Sequence, residues 1–187
     1  MSNNNAKLFV FSAPSGSGKT SIVREILKSY PQFVFSVSAT TRNRRQEEKE
    51  GIDYYFISEK DFTKKINSGD FVEWEKFYDY YYGTLKAIVD KNIEKGLSTV
   101  FEVDVKGAIS IKKAYKNSVL IFICPPSIEA LRERLKSRNT ESDEDFKKRI
   151  ERAEMELSYK EQFDYLVKNI NLKDAVNEVK KIIEKEI

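Results

Sequence analysis

The sequence predicts an α/β fold in which helices cover a mostly parallel sheet. Three observations carry that expectation. Short runs rich in Val, Ile, Leu and Phe read as buried strands, longer amphipathic runs lie between them, and the two alternate with no internal repeat or low-complexity linker. At 187 residues the chain is one domain's worth of polypeptide, long enough to bury roughly 70% of the surface its unfolded form exposes. Apolar residues make up 40% and charged residues 34%, which supplies a core beneath a charged surface and excludes whole-chain disorder.

Five runs are assigned to the main sheet: Lys7 to Ser12, Phe33 to Ser38, Thr99 to Val103, Val119 to Cys124 and Tyr165 to Lys168. Lys19 to Ser29 reads as a helix after the first of them. Ser127 to Lys136 places Ile128, Leu131 and Leu135 on one helical face, and Ala175 to Ile183 repeats that spacing with Val176, Val179 and Ile183. From about Thr40 to Gly83 the chain is crowded with Arg, Glu, Tyr and Phe. It holds an alternating segment, Asp53 to Ile57, and a short helix, Lys60 to Asn67, ended by Gly69, so it reads as a small insertion beside the core. Trp74 within it reads as core. A second charged segment, Arg138 to Arg152, carries helix-start chemistry at Thr140, Glu141, Ser142 and Asp143 and reads as a mobile lid.

Composition narrows the chemistry. The 33 Lys and Arg against 30 Asp and Glu leave a net charge of +3, too small to argue for a nucleic-acid or membrane partner. Histidine is absent, which removes the usual zinc constellations and every His-dependent triad. The single cysteine, Cys124, cannot form an internal disulfide and reads as an inert buried residue. No apolar run approaches the ~20 residues of a membrane span, and Met1 to Asn5 lacks the parts of a signal peptide. The expectation is a soluble, cytoplasmic protein.

The most specific signal is Ala13-Pro14-Ser15-Gly16-Ser17-Gly18-Lys19-Thr20, directly after a strand and opening a helix. Gly16 and Gly18 let backbone NH groups turn inward around phosphate oxygens, and the helix presents its positive N-terminus. Lys19 can reach the β and γ phosphates, and Thr20 can offer a hydroxyl to Mg2+. Ala13 stands where the strict pattern has glycine, a small change unless its backbone is left-handed. Thr99 to Asp104 ends a hydrophobic strand in two carboxylates, Glu102 and Asp104, either of which suits an acid beside the metal of a nucleoside-triphosphate enzyme. Between Ser36 and Arg45 lie several hydroxyls and the arginines 42, 44 and 45, whose planar forks imply a second phosphate site.

In order, these motifs resemble the guanylate kinase family, a resemblance running from the phosphate loop nearly to the C-terminus. It rests on the loop, Ser36-Val37-Ser38-x-Thr40-Thr41-Arg42-x-x-Arg45, Gly51-x-Asp53-Tyr54, Phe71-Val72-Glu73-Trp74 and Tyr81-Tyr82-Gly83-Thr84. Further along it rests on Glu102-Val103-Asp104-x-x-Gly107, Pro125-Pro126-Ser127 and Arg138-x-Thr140-Glu141.

The resemblance implies transfer of the γ-phosphoryl group of ATP to GMP, giving ADP and GDP, with Mg2+. It implies a P-loop NTPase core at residues 1–37, 85–137 and 154–187, a GMP-binding insertion at 38–84 and a lid at 138–153, and leaves monomer and homodimer open. ATP is assigned to Ala13, Pro14, Ser15, Gly16, Ser17, Gly18, Lys19, Thr20 and Ser21, and the metal to Thr20 and Glu102. Arg42, Arg45, Tyr54 and Tyr82 match positions that hold the GMP phosphate, and Ser38, Glu73, Thr84 and Asp104 match positions that read guanine. Arg134, Arg138 and Arg149 match arginines that close over the transferring group, so the catalytic set is Lys19, Arg42, Arg134, Arg138 and Arg149. The chemistry agrees, because guanine presents two adjacent donors that a carboxylate can accept and a carbonyl to which a hydroxyl can donate.

Without histidine the acceptor must supply its own nucleophile, and a phosphate monoester with a second pKa of about 6 is mostly dianionic at neutral pH. Several positions depart from the family pattern: Arg44 and Gln46 for proline, Glu102 for aspartate, Lys106 for glutamine, Asn139 for glycine, and Ile170 for the aspartate that normally follows Asn169. Bland alternatives exist for some motifs. The tyrosines between positions 78 and 82 also read as a packed aromatic cluster, and the Arg-rich lid as a solvated helix. For the whole chain the alternatives are another phosphate acceptor and a scaffold-type binding module, although such modules typically lose the loop lysine and lid arginines retained here.

Overall fold

The structure, a computed structural model, describes residues 6–77, 79–136 and 143–187. Strand β1 (Leu8–Ser12) leads through the phosphate loop into helix α1 (Lys19–Ser29) and strand β2 (Val34–Phe35). The chain then makes β3 (Ala39–Thr40), β4 (Tyr55–Phe56), α2 (Glu59–Asn67), β5 (Phe71–Phe77), β6 (Tyr80–Leu85) and α3 (Lys86–Glu94). It returns through β7 (Thr99–Glu102), α4 (Val105–Ala114), β8 (Val119–Cys124), α5 (Ile128–Lys136) and α6 (Asp143–Ser158). A 3-10 turn (Lys160–Gln162), β9 (Tyr165–Lys168) and α7 (Leu172–Glu186) complete it.

The expected five-stranded sheet is present, in the order β2, β7, β1, β8, β9, and every pairing in it is parallel. β1 lies at its centre, buried at all five positions. Because strand side chains alternate, Phe9 and Phe11 face one layer, where α1 and α7 contribute Ile22, Val23, Ile26, Val176, Val179 and Ile183. Leu8 and Val10 face the other, with Val89 of α3 and Val105, Ala108 and Ile111 of α4. Each fully buried Phe or Ile contributes roughly 1.5 to 3 kcal/mol, so the two layers fix the strand ends from which the site is built.

The insertion forms a second sheet in the order β4, β3, β6, β5, with β3 parallel to β4 and the other pairings antiparallel. Helix α2 packs on one face of it through the fully buried Phe62, whose ring stacks on Phe71 at 4.3 Å and on Tyr81 at 5.3 Å.

Several expectations need correction. The run Phe33 to Ser38 is not one strand: after Ser36 N donates to Val100 O the backbone changes partner, and Ala39 and Thr40 pair with Gly83 and Tyr82 in the second sheet. Hydrophobicity cannot register a change of neighbour. Of Asp53 to Ile57 only Tyr55 and Phe56 are strand. Helix α2 starts one residue early because Ser58 Oγ accepts from Asp61 N at 3.0 Å, and α7 starts three residues early because Asn171 Oδ1 accepts from Lys173 N and Asp174 N. Helices α3 and α4 have no counterpart in the sequence reading. Trp74 is not core: it is 46% exposed, because alternation along β5 sends Glu73 inward and Trp74 to the opposite face beside Tyr81. The lid start, with Arg138, Asn139, Thr140 and Glu141, lies outside the described residues.

Candidate active site

The phosphate loop leaves the buried end of β1. Gly16 and Gly18 take left-handed angles, φ 87° and 90°, that other residues avoid. Ala13 is buried in the main core, so its methyl group is accommodated where the pattern has glycine. Pro14 and Ser17 are also buried, while Ser15, Thr20 and Ser21 are exposed. Across the sheet, Asn169 after β9 donates from Nδ2 to the Ser17 carbonyl at 2.7 Å.

Lys19 opens α1 and turns under the loop, donating from Nζ to the Val103 carbonyl at 2.9 Å. Burial lowers the pKa of its ammonium, against the pull of Glu102, Glu156, Asp104 and Glu75. Thr20 Oγ1 donates to Glu102 Oε1 at 2.5 Å, which joins the loop to the last residue of β7. These two side chains are hard oxygen donors. Among the described residues no group of three or more His, Cys, Asp or Glu could hold a metal. One carboxylate, one hydroxyl and phosphate oxygens are the donor set Mg2+ takes with a nucleotide, so the residues present fit it.

The candidate acceptor residues fall into two groups on one face of the second sheet. Arg42 lies over Tyr54 at 5.4 Å and Phe56 at 5.9 Å, and Tyr54 meets Tyr82 edge-on at 6.0 Å. The carboxylate of Glu48 takes both ends of the Arg42 fork, at 2.7 and 3.0 Å, and accepts from Arg45 N at 2.8 Å. That bond, followed by burial and then the Tyr82 hydroxyl, sets the guanidinium's pKa, which ends above its ordinary value. The Arg45 side chain itself is exposed. Glu48 is absent from the sequence reading, because it lies six residues from Arg42 in a loop where no helical or strand period pairs them.

Glu73 and Thr84 sit opposite each other on β5 and β6, with Thr84 Oγ1 donating to Glu73 Oε1 at 2.5 Å. Glu75 and Tyr82 are the next inward pair. Burial pushes the Glu73 carboxyl up to about 7, opposed by the Thr84 bond, raised further by Asp104 and lowered by Lys19. A β-carbon on Gly107 would lie 2.9 Å from Glu73 Oε2, so the glycine leaves room for that carboxylate. Asp104 caps α4, accepting from Gly107 N at 2.7 Å, which gives it a structural duty beside any contact with a base. Ser38 accepts on its carbonyl from Tyr55 N, which ties the residue before β3 to β4.

Of the lid arginines, Arg134 on α5 reaches the Asn169 carbonyl at 3.5 Å. Arg149 is half-buried on α6, and Arg138 lies outside the described residues. The sequence reading missed Arg152. From α6 it donates to Glu75 at 2.9 Å and to Glu156 at 3.1 Å, and it stands 3.7 Å from Asp104 Oδ2.

Known proteins match this arrangement. The family model for guanylate kinase covers residues 5–186. The chain is similar to the guanylate kinase of Thermotoga maritima, with 47% identity over 180 residues, 96% of this chain and 87% of that one. It is similar also to that of Chlorobium chlorochromatii, with 46% identity over 178 residues, 95% of this chain and 94% of that one. Among solved structures, the guanylate kinase from Anaplasma phagocytophilum superposes with a TM-score of 0.77 at 30% identity, covering 97% of this chain and 86% of that one. With a phosphate loop at the end of a parallel strand and full-length relatives of one activity, the chain belongs to the guanylate kinase family and is an ATP:GMP phosphotransferase.

Proposed function

We propose that ATP lies with its phosphates in the loop 13–21 and GMP on the inward face of the second sheet. Lys19 supports this reading most directly, because it rises from the phosphate loop and bonds the Val103 carbonyl, next to Asp104 at the base-reading end of the site. In this scheme Arg42, Arg45, Tyr54 and Tyr82 hold the acceptor phosphate, replacing or sharing the place Glu48 takes on Arg42. Glu73 and Asp104 accept from the guanine donors, while Thr84 and Ser38 supply hydroxyls. The base-free reaction follows: the GMP dianion attacks in line, Lys19 stabilises charge on the transferring group, and Arg134, Arg138 and Arg149 close over it from the lid. Thr20 and Glu102 would hold Mg2+, which neutralises charge on the ATP phosphates when bound.

The division into a core, a GMP-binding insertion at 38–84 and a lid at 138–153 belongs to the same proposal, as does a cytoplasmic setting and a monomer or homodimer. Among the described residues no helix is long and apolar enough to cross a membrane. A coupled assay with GMP, AMP, UMP and a sugar phosphate tests the acceptor. Preference for GMP is expected, and equal or better use of another acceptor sinks the assignment of Glu73 and Asp104.

A further inference from the structure

We propose that Glu48 is a positioning residue for the acceptor phosphate: it keeps one edge of the Arg42 guanidinium while the phosphate takes the other, so the two share the arginine and neither displaces the other. The inference rests on the proposed role of Arg42 toward that phosphate.

A guanidinium offers an oxyanion two parallel edges, one formed by its two Nη groups and one by Nε with Nη2. The first edge of Arg42 is taken. Nη1 donates to Glu48 Oε2 at 3.0 Å and Nη2 to Glu48 Oε1 at 2.7 Å, and the second hydrogen of Nη1 goes to the Asn43 carbonyl at 2.8 Å. The Tyr54 and Phe56 rings, 5.4 and 5.9 Å from the guanidinium carbon, restrict where its plane can lie. With both hydrogens of Nη1 engaged, the Tyr82 hydroxyl, the other side chain that hydrogen-bonds Arg42, meets it on the remaining edge. Tyr82 is itself assigned to the acceptor phosphate, so the open edge of the arginine and a phosphate-holding hydroxyl lie together.

The same carboxylate accepts from Arg45 N at 2.8 Å, so Glu48 sets the guanidinium of one arginine and the backbone root of the other. Residues 41–49 have no helix or strand to hold them. A loose segment would have to order both arginines at the moment of binding, an entropic cost that a preset pair avoids. An ordinary surface ion pair stabilises little. Here the Arg42 and Glu48 side chains are only 13% and 16% exposed, and both carboxylate oxygens are engaged. A rival role, in which Glu48 occupies the arginine until phosphate expels it, predicts the opposite sign: removing Glu48 would then strengthen GMP binding.

The test compares Glu48→Gln, Glu48→Asp, Arg42→Ala and the Glu48→Gln, Arg42→Ala double variant. The readouts are the Kd for GMP by calorimetry and the inhibition constant of guanosine, which carries the base and ribose without the phosphate. Glu48→Gln should weaken GMP about tenfold and leave guanosine within about twofold, because the amide can accept from only part of the fork. Glu48→Asp should recover part of the loss. In the Arg42→Ala background the same Glu48→Gln change should cost less than about threefold, since most of its action passes through the arginine. Should Glu48→Gln fail to fold, Glu48→Ala carries the same measurements. Unchanged or tighter GMP binding overturns the proposal, as does an equal loss for GMP and guanosine or a full further loss in the double variant. If Arg42→Ala leaves GMP binding unchanged, the role given to Arg42 has failed and this inference with it. If Arg42→Ala weakens GMP and Glu48→Gln does not, this inference alone has failed.

Discussion

The side-chain amide of Asn169 occupies the space that a β-carbon on Gly18 would need, 2.3 Å from it. The last sheet strand thereby braces the phosphate loop, and the left-handed angle of Gly18 and this close approach exclude any other residue independently. Gly18→Ala should therefore destabilise the fold by about 1 to 3 kcal/mol and abolish ATP binding. Adding Asn169→Ala should not restore it, because the angle is still wrong. Asn169→Ala alone should cost about 1 kcal/mol and raise KM for ATP more than KM for GMP. Denaturant melts and separate titrations of the two substrates check this, and full recovery in the double variant would refute it.

Lys19→Ala should leave the fold and GMP binding nearly intact. Activity should fall by about a hundredfold or more, since the ammonium acts on charge that develops during transfer. Calorimetry with GMP beside turnover measures both. Activity within threefold of the parent would remove Lys19 from the catalytic set.

The raised carboxyl of Glu73 makes ligand-free stability depend on pH. Burial holds it at about 7 in the fold against an ordinary 4.5, so between those values the folded state binds more protons than the unfolded one. Stability then falls as pH rises through that window, by on the order of 3 kcal/mol for this group. Urea denaturation at pH 5.5 and 8 should show the loss, and Glu73→Gln should make it smaller, leaving the part that the raised carboxyl of Glu75 contributes. A wild-type protein more stable at pH 8 would contradict the assignment.

GMP binding calls on the ionised form of the same group. Glu73→Gln should cost about 2 to 3 kcal/mol of GMP recognition and much less for AMP, because an amide donor then faces guanine's donors. The pH dependence of kcat/KM for GMP should rise in two steps, one at about 6 from the acceptor's phosphate and one near 7 from Glu73. A thiophosphate acceptor, which ionises at lower pH, should move only the lower step, and Glu73→Gln should remove only the upper. Equal losses for GMP and AMP would show that Glu73 does not read the base.

How much of this the sequence carried depends on the range of the forces involved. The phosphate loop was legible because its backbone angles demand glycines at fixed spacing. Buried strands such as Val119 to Cys124 were legible because both faces are covered and the run is wholly apolar. Helices α3 and α4 were not, since α3 opens at Leu85 with no side-chain cap to mark its start, and the cap of α4, Asp104, sits in a motif that also reads as chemistry. Among acids, the sequence pointed to Glu102, Asp104 and Glu73 as site residues, whereas the raised carboxyls of Glu73 and Glu75 come from burial. Desolvation depends on what packs overhead, and that is decided by β6 and α4 at long range. Arg152, Glu48 and Asn169 were missed for the same reason: each acts through a partner set by the fold.

The two sheets also differ in how they should respond to thermal fluctuation. β1 is hydrogen-bonded on both edges by β7 and β8 and screened by helices on both faces, so its amides should exchange with solvent only when the whole molecule opens. β3 and β4 are two residues long, and β4 has β3 as its only partner in the sheet order. Their amides should exchange through small local openings. The donor nucleotide thus meets a stiff floor and the acceptor a compliant wall, so the heat-capacity change on binding should be larger for GMP than its buried area alone would give.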